Sequence, residues 1–237
     1  MQRGVILFRV AELPVHDIAD GRLAEVFGLA GCPMCRYATR SAARFIDAML
    51  DESVNDRGFR AEVDAARGFC RRHTREVLVA NRRHSGGTLA AAILFAAIAR
   101  IRKPELDRIS AERGRSRSQR IAQARHAPAC PVCAQAASAE TTAAARLVDL
   151  AREPAWADAM GAAALCVDHL LILMSRGGTS VEWRTVEAAQ IARIERLRER
   201  LDGFAHHSSQ DRRHLMTDDE RTAADDAATL LGGTTPD

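Results

Sequence analysis

GCPMC, residues 31–35, decides the fold because it has an echo: ACPVC at residues 129–133. Each is followed at a similar distance by a cysteine and a histidine. After Cys35 come 34 residues and then Cys70-Arg-Arg-His73; after Cys133 come 32 and then Cys166-Val-Asp-His169. All six cysteines of the 237-residue chain occupy matched places in this duplication. Further along, SGGT (85–88) is answered by RGGT (176–179), each ahead of a long helical pattern. Thr88 and Thr179 are the expected N-caps there, since a threonine hydroxyl can accept from an orphan backbone N–H.

The rest of the chain reads as helix. Aromatic residues make up only 4% of it, alanine, leucine and arginine are abundant, and period-two apolar alternation is nearly absent. The expected fold is all-α: two tandem homologous helical halves, each with a Cys3His metal site. The boundaries are a first half over 1–111, an Arg-rich linker over 112–126, a second half over 127–205, and a polar segment with a C-terminal helix over 206–237. Pro33 suits a first helical turn, where a missing N–H costs nothing. Ala38, Ala42, Phe45 and Met49 then recur along one helical face. Asn55-Asp56 breaks the pattern, Gly68 ends a second helix, and Cys70 opens a third. Pro154 starts the short helix of the second half.

Two antiparallel helices after each CxxC would return the chain to its start. That would set Cys32, Cys35, Cys70 and His73 as one quartet and Cys130, Cys133, Cys166 and His169 as the other. Three thiolates and one imidazole are a preferred set for tetrahedral zinc, and four protein ligands leave no position for an activated water. Two zinc ions per chain are therefore expected. Arg36, Arg71 and Arg72 lie where they could offset the negative charge of such a centre. An iron–sulfur cluster competes with zinc, since histidine replaces some cysteines in certain clusters. A dithiol redox couple explains the CxxC pairs but leaves both CxxH motifs without a purpose. One binuclear site pooling all eight ligands also remains open.

CPMC, GFCRRH, CPVC and LCVDH at these intervals resemble a family of uncharacterised bacterial proteins, a domain of unknown function with paired CPxC and CxxH motifs on a helical chain. The ending, LRERLDGFAHHSSQDRR followed by MTDDERTAADDAATLLGG, resembles that family too, so the likeness runs from PVHDI (14–18) to Gly233. It implies the same eight ligands, Cys32, Cys35, Cys70 and His73 with Cys130, Cys133, Cys166 and His169, and implies no activity.

Other features carry less. Arg113, Arg115, Arg117, Arg120 and Arg125 are candidate phosphate contacts. Their run has no aromatic residue for base stacking, and a solvated linker is the plainer reading. His206, His207 and His214 read as exposed tail residues. Trp156 and Trp183 read as core or interface anchors. Ile191, Ile194, Leu197 and Leu201 form a stripe expected to pack on the helix after Gly87, with a homodimer seam as its alternative use. Asp168, Glu52 and Glu76 read as ordinary surface charges. No Gly-rich phosphate loop, GxSxG or HExxH is present, so nothing argues for an enzyme.

A net charge of +3 permits a nucleic-acid partner without arguing for one. Val5 to Phe8 is too short for a signal-peptide core. Leu89 to Ala99 is too short to span a bilayer and reads as a buried helix. The expected setting is cytoplasmic, where cysteine clusters bind metal or do redox chemistry more often than they form disulfides. The function that follows is metal binding in the service of structure, with a helical surface offered to another protein and no membrane partner. The rivals are an iron–sulfur or thiol redox protein and a nucleic-acid binder.

Overall fold

The computed structural model describes residues 13–85, 87–126, 128–177 and 180–233. Thr179 and the Val5–Phe8 run lie outside them. Among the described residues there are eleven α-helices and no strand, so the all-α expectation holds. They are α1 (Ile18–Phe27), α2 (Pro33–Ala48), α3 (Arg57–Ala65), α4 (Arg71–Ser85), α5 (Leu89–Ala111), α6 (Gly114–Arg125), α7 (Pro131–Leu150), α8 (Pro154–Ala162), α9 (Val167–Met174), α10 (Val181–His207) and α11 (Asp218–Gly232). A π-helical turn, Met49–Ser53, prolongs α2, and a 3-10 turn, Arg213–Leu215, precedes α11.

The helix boundaries follow local chemistry. Asp17 caps α1 by accepting from Asp20 N, and Asp56 caps α3 by accepting from Phe59 N. Ser180, the residue after the expected Thr179, caps α10 through Trp183 N. Thr88 stands at the N-cap of α5 but makes no capping bond. That donor is met from α4 instead: Ala91 N gives a 2.9 Å bond to the buried Asn81 Oδ1. Thr217 and Glu220 form a reciprocal capping box on α11.

The compact units are not the contiguous halves. One unit comprises residues 1–38 and 139–237, the other residues 39–138. The chain therefore changes unit within α2 and again within α7. The reason is helix length. α2 and its π turn have 16 and 5 residues, a rise of about 30 Å at 1.5 Å per residue. α3 has 9 residues and recovers only about 14 Å of that. The second half repeats the imbalance, with 20 residues in α7 and 9 in α8. Neither return helix can bring its CxxH back to its own CxxC.

In the discontinuous unit, Leu23, Met34, Leu147, Leu150, Trp156, Met160, Leu165 and Trp183 form the core. Both tryptophans are buried there. Trp156 donates from Nε1 to Pro14 O at 3.0 Å and meets Phe27 edge to face. Gly177 has room only for hydrogen, since a Cβ would collide with the Trp183 ring. α10 packs on α8 and α11, the latter through Leu197, Ala223 and Leu230. The stripe expected to face α5 is thus split: Leu197 is buried against α11, while Ile191 is 56% exposed.

In the continuous unit, Ile46, Met49, Phe59, Val63, Val77 and Leu94 make the core. α5 packs on α3, α4 and α6. Its apolar start is buried on one side only: Ala91 and Leu94 are inside, and Leu89 is exposed. The helix expected over Leu89 to Ala99 forms but is buried on one face only, because small alanines fill much of that run and one face suffices for packing. The linker expected over 112–126 is largely the helix α6, which buries none of its residues.

Candidate metal centres

The eight expected ligands gather into two quartets, but the pairing is crossed. Cys32 and Cys35 join Cys166 and His169; Cys70 and His73 join Cys130 and Cys133. The CxxC of each half meets the CxxH of the other, which corrects the expectation that each half closes its own site. It also replaces the single binuclear site with two groups of four. Each quartet lies wholly within one compact unit.

Helix starts position the ligands. Cys32 and Cys35 flank the first turn of α2, as Cys130 and Cys133 flank that of α7. Cys166 is the N-cap of α9, with His169 one turn on, and Cys70 precedes α4, which carries His73. Helix N-termini favour thiolate over thiol, so four of them supply partial positive charge here. Pro33 and Pro131 each occupy the first helical position after a cysteine, where no N–H is required.

The distances suit one ion per quartet. In the first, His169 Nδ1 stands 3.5 Å from Cys32 Sγ, 3.3 Å from Cys35 Sγ and 3.0 Å from Cys166 Sγ; Cys35 and Cys166 sulfurs are 3.8 Å apart. In the second, His73 Nδ1 stands 3.3 Å from Cys70 Sγ, 3.2 Å from Cys130 Sγ and 3.3 Å from Cys133 Sγ, with Cys133 and Cys70 sulfurs 3.7 Å apart. A tetrahedral ion bonded at about 2.3 Å to sulfur and about 2.0 Å to nitrogen sets edges of roughly 3.8 Å between sulfurs and roughly 3.5 Å from sulfur to nitrogen. All six cysteines are free thiols.

Each histidine has a carboxylate behind it. His73 Nε2 is 3.7 Å from Glu76 Oε2, and His169 Nε2 is 3.5 Å from Glu140 Oε1. A proton held on Nε2 leaves Nδ1 as the ligand atom, the arrangement metal-bound histidines commonly use. Glu76 is therefore more than a surface charge. Its signal was the spacing CxxHxxE, whereas Glu140, from α7, could be found only in the folded chain. Asp168 and Glu52 stand outside both quartets.

Without a cation, three crowded sulfurs cannot all ionise. Hydrogen bonds from Cys166 and Cys35 pull the Cys32 thiol down to about 3, while Cys166 and Cys32 push Cys35 far up. In the second quartet burial, joined by Cys130 and Cys70, pushes Cys133 up to about 12. One thiolate held by its neighbours' protons is the state expected of a ligand set that a divalent ion would complete.

Residues 11–206 match the family described as "Family of unknown function (DUF6062)". The chain belongs to that family. The matched span contains all eight ligands and ends at His206, within the first of the two tail stretches, so the likeness beyond that residue is not part of it. No curated protein and no solved structure matches the chain. In this family member the sequence duplication and the crossed quartets together account for every cysteine.

The remaining candidates are dispersed. Arg113 donates to the carbonyls of Ser110 and Glu112, and Arg120 pairs with Glu112. Arg115, Arg117 and Arg125 are exposed on α6. Arg36 donates to Ala30 O, and Arg72 pairs with Glu76. Of the tail histidines, His207 is engaged rather than free: its Nδ1 lies 3.0 Å from Glu220 Oε2. Among the described residues no helix is long and apolar enough to cross a membrane.

Proposed function

We propose that this protein is a zinc-dependent helical scaffold whose two Cys3His sites are structural, and that it serves as an interaction module for another protein. The observation that carries this is the composition of the quartets: four protein ligands around each position, all ligand atoms within 4.8 Å of one another. That spacing suits a single ion, whereas a cluster of two or four irons spreads its ligands over several metal atoms. Each site joins segments about a hundred or more residues apart (first quartet) or two helix starts on either side of α5 and α6 (second quartet). Binding free energy there is folding free energy, because the unfolded chain has no formed site. A protein partner is supported by the apolar side chains that α9 and α10 leave exposed, among them Leu171 and Val181. The six free thiols fit a reducing compartment.

The test is metal content per chain with an absorption spectrum, on untagged protein purified without air. Two zinc ions and no visible absorption are expected. Iron with a broad band near about 400 nm, from thiolate-bound clusters, would overturn the zinc reading.

A further inference from the structure

The face of α10 toward α11 carries Arg193, Arg196 and Arg200, spaced so that all three line one side of a cleft of about 810 Å³. Thr222, Asp225 and Asp226 of α11 stand across it. The three arginines are not equivalent. Arg200 is fully engaged, with Nη2 at 2.6 Å from Asp226 Oδ2 and 2.7 Å from Asp219 O. Arg193 gives Nη2 to Ala162 O at 2.5 Å, closing the end of α8; it forms no ion pair among the described residues, and Asp226, already paired with Arg200, offsets its charge only from a distance. Its Nε is the one buried side-chain nitrogen or oxygen among the described residues without a hydrogen-bond partner. Arg196, one turn on, is exposed and has no hydrogen-bond or ion-pair partner among the described residues.

Two guanidinium groups one turn apart repel each other, and burial of Arg193 sharpens the penalty. Guanidinium groups hold carboxylate and phosphate oxygens by paired N–H donors, so an oxyanion between them would relieve both. We propose that this cleft binds the oxyanion, carboxylate or phosphate, of a small molecule between Arg193 and Arg196. Asp219, Asp225 and Asp226, which also line the cleft, oppose a polyanion such as nucleic acid and select a compact ligand whose negative end enters first. The cleft is also lined by Ala30 and Gly31, just before Cys32, and by Ala164, two residues before Cys166. An occupant therefore rests against the two segments that position the first quartet, and its binding should slow loss of metal from that site.

Calorimetric titration of the metal-loaded full chain tests this, with inorganic phosphate and succinate as separate probes. Saturable 1:1 binding of at least one probe is expected, weakened tenfold or more in Arg196→Gln. That side chain is exposed, so the variant should fold and retain its metal; Arg193→Gln provides the second arm. The probe that binds distinguishes phosphate from carboxylate chemistry. If neither probe saturates, or if Arg196→Gln binds as the parent does, the proposal fails, whatever metal the quartets hold.

Discussion

Cys35 and Cys166 are separated by 131 positions in sequence, yet their sulfurs stand 3.8 Å apart. Cys133 and Cys70, 63 positions apart, repeat the relationship at 3.7 Å. This crossing ties the two halves of the repeat into one ligand scheme. It also makes the order in which cysteines are removed informative.

Replacing Cys35 and Cys166 together by serine should empty one site and leave one metal per chain. Replacing Cys35 and Cys70 together should empty both, because the two substitutions remove ligands from different quartets. Pairing within contiguous halves reverses the two outcomes. Metal stoichiometry of the two double variants, measured after gel filtration, decides between them.

Gly233 closes α11 in the left-handed region, at φ +64, and a Cβ on it would sit 3.5 Å from both Cys35 Sγ and Cys166 Sγ. An L-residue there costs about 1 kcal/mol in backbone strain. The end of α11 would relieve that strain by lifting away from the sulfurs. Gly233→Ala should therefore speed metal loss from the first quartet to a chromophoric chelator several-fold. The second quartet, in the other compact unit, should release at the parent's rate, so only one of two kinetic phases should change.

Helix class and ligand identity were legible in the sequence because each is encoded locally. Pro33 and Pro154 mark helix starts, Asn55-Asp56 marks a break, and the repeated CxxC and CxxH motifs announce soft ligands. The partnering of the motifs was not local. It depends on α2 being prolonged through Met49–Ser53 while α3 stays short, a difference in length that apolar periodicity blurs at helix ends. The same limit hid Asn81 as the group serving the start of α5, and Glu140 as the carboxylate behind His169. Both act from another helix, where sequence spacing carries no signal.

Trp156 separates packing from hydrogen bonding. Trp156→Phe keeps a ring against Phe27 but leaves Pro14 O without its 3.0 Å donor, a loss of about 1 kcal/mol. Trp156→Ala also opens a cavity in the core of the discontinuous unit and should cost about 3–5 kcal/mol. Denaturant unfolding of the metal-loaded proteins measures both. Equal losses in the two variants would show that the bond to Pro14, and not the ring, dominates.

Asp20 offers a test in pH. Its carboxylate is completely buried and accepts from Arg146 Nε at 2.7 Å, Arg146 Nη2 at 2.8 Å and His16 N at 3.0 Å. The Arg146 bonds hold its pKa below the ordinary 3.8 against the opposing effect of burial, with the His16 N–H adding to the pull. A carboxylate depressed on folding contributes stability that is present above its unfolded pKa and is lost as pH falls through the lower folded value. Asp20→Asn should thus be clearly less stable than the parent at pH 7. The gap should persist down to about pH 5, where an unfolded aspartate begins to protonate, and narrow below it. Comparing the two proteins at each pH cancels the loss of metal that acid causes in both. A gap that stayed constant to pH 2 would mean that Asp20 acts through shape and neutral hydrogen bonds and not through its charge.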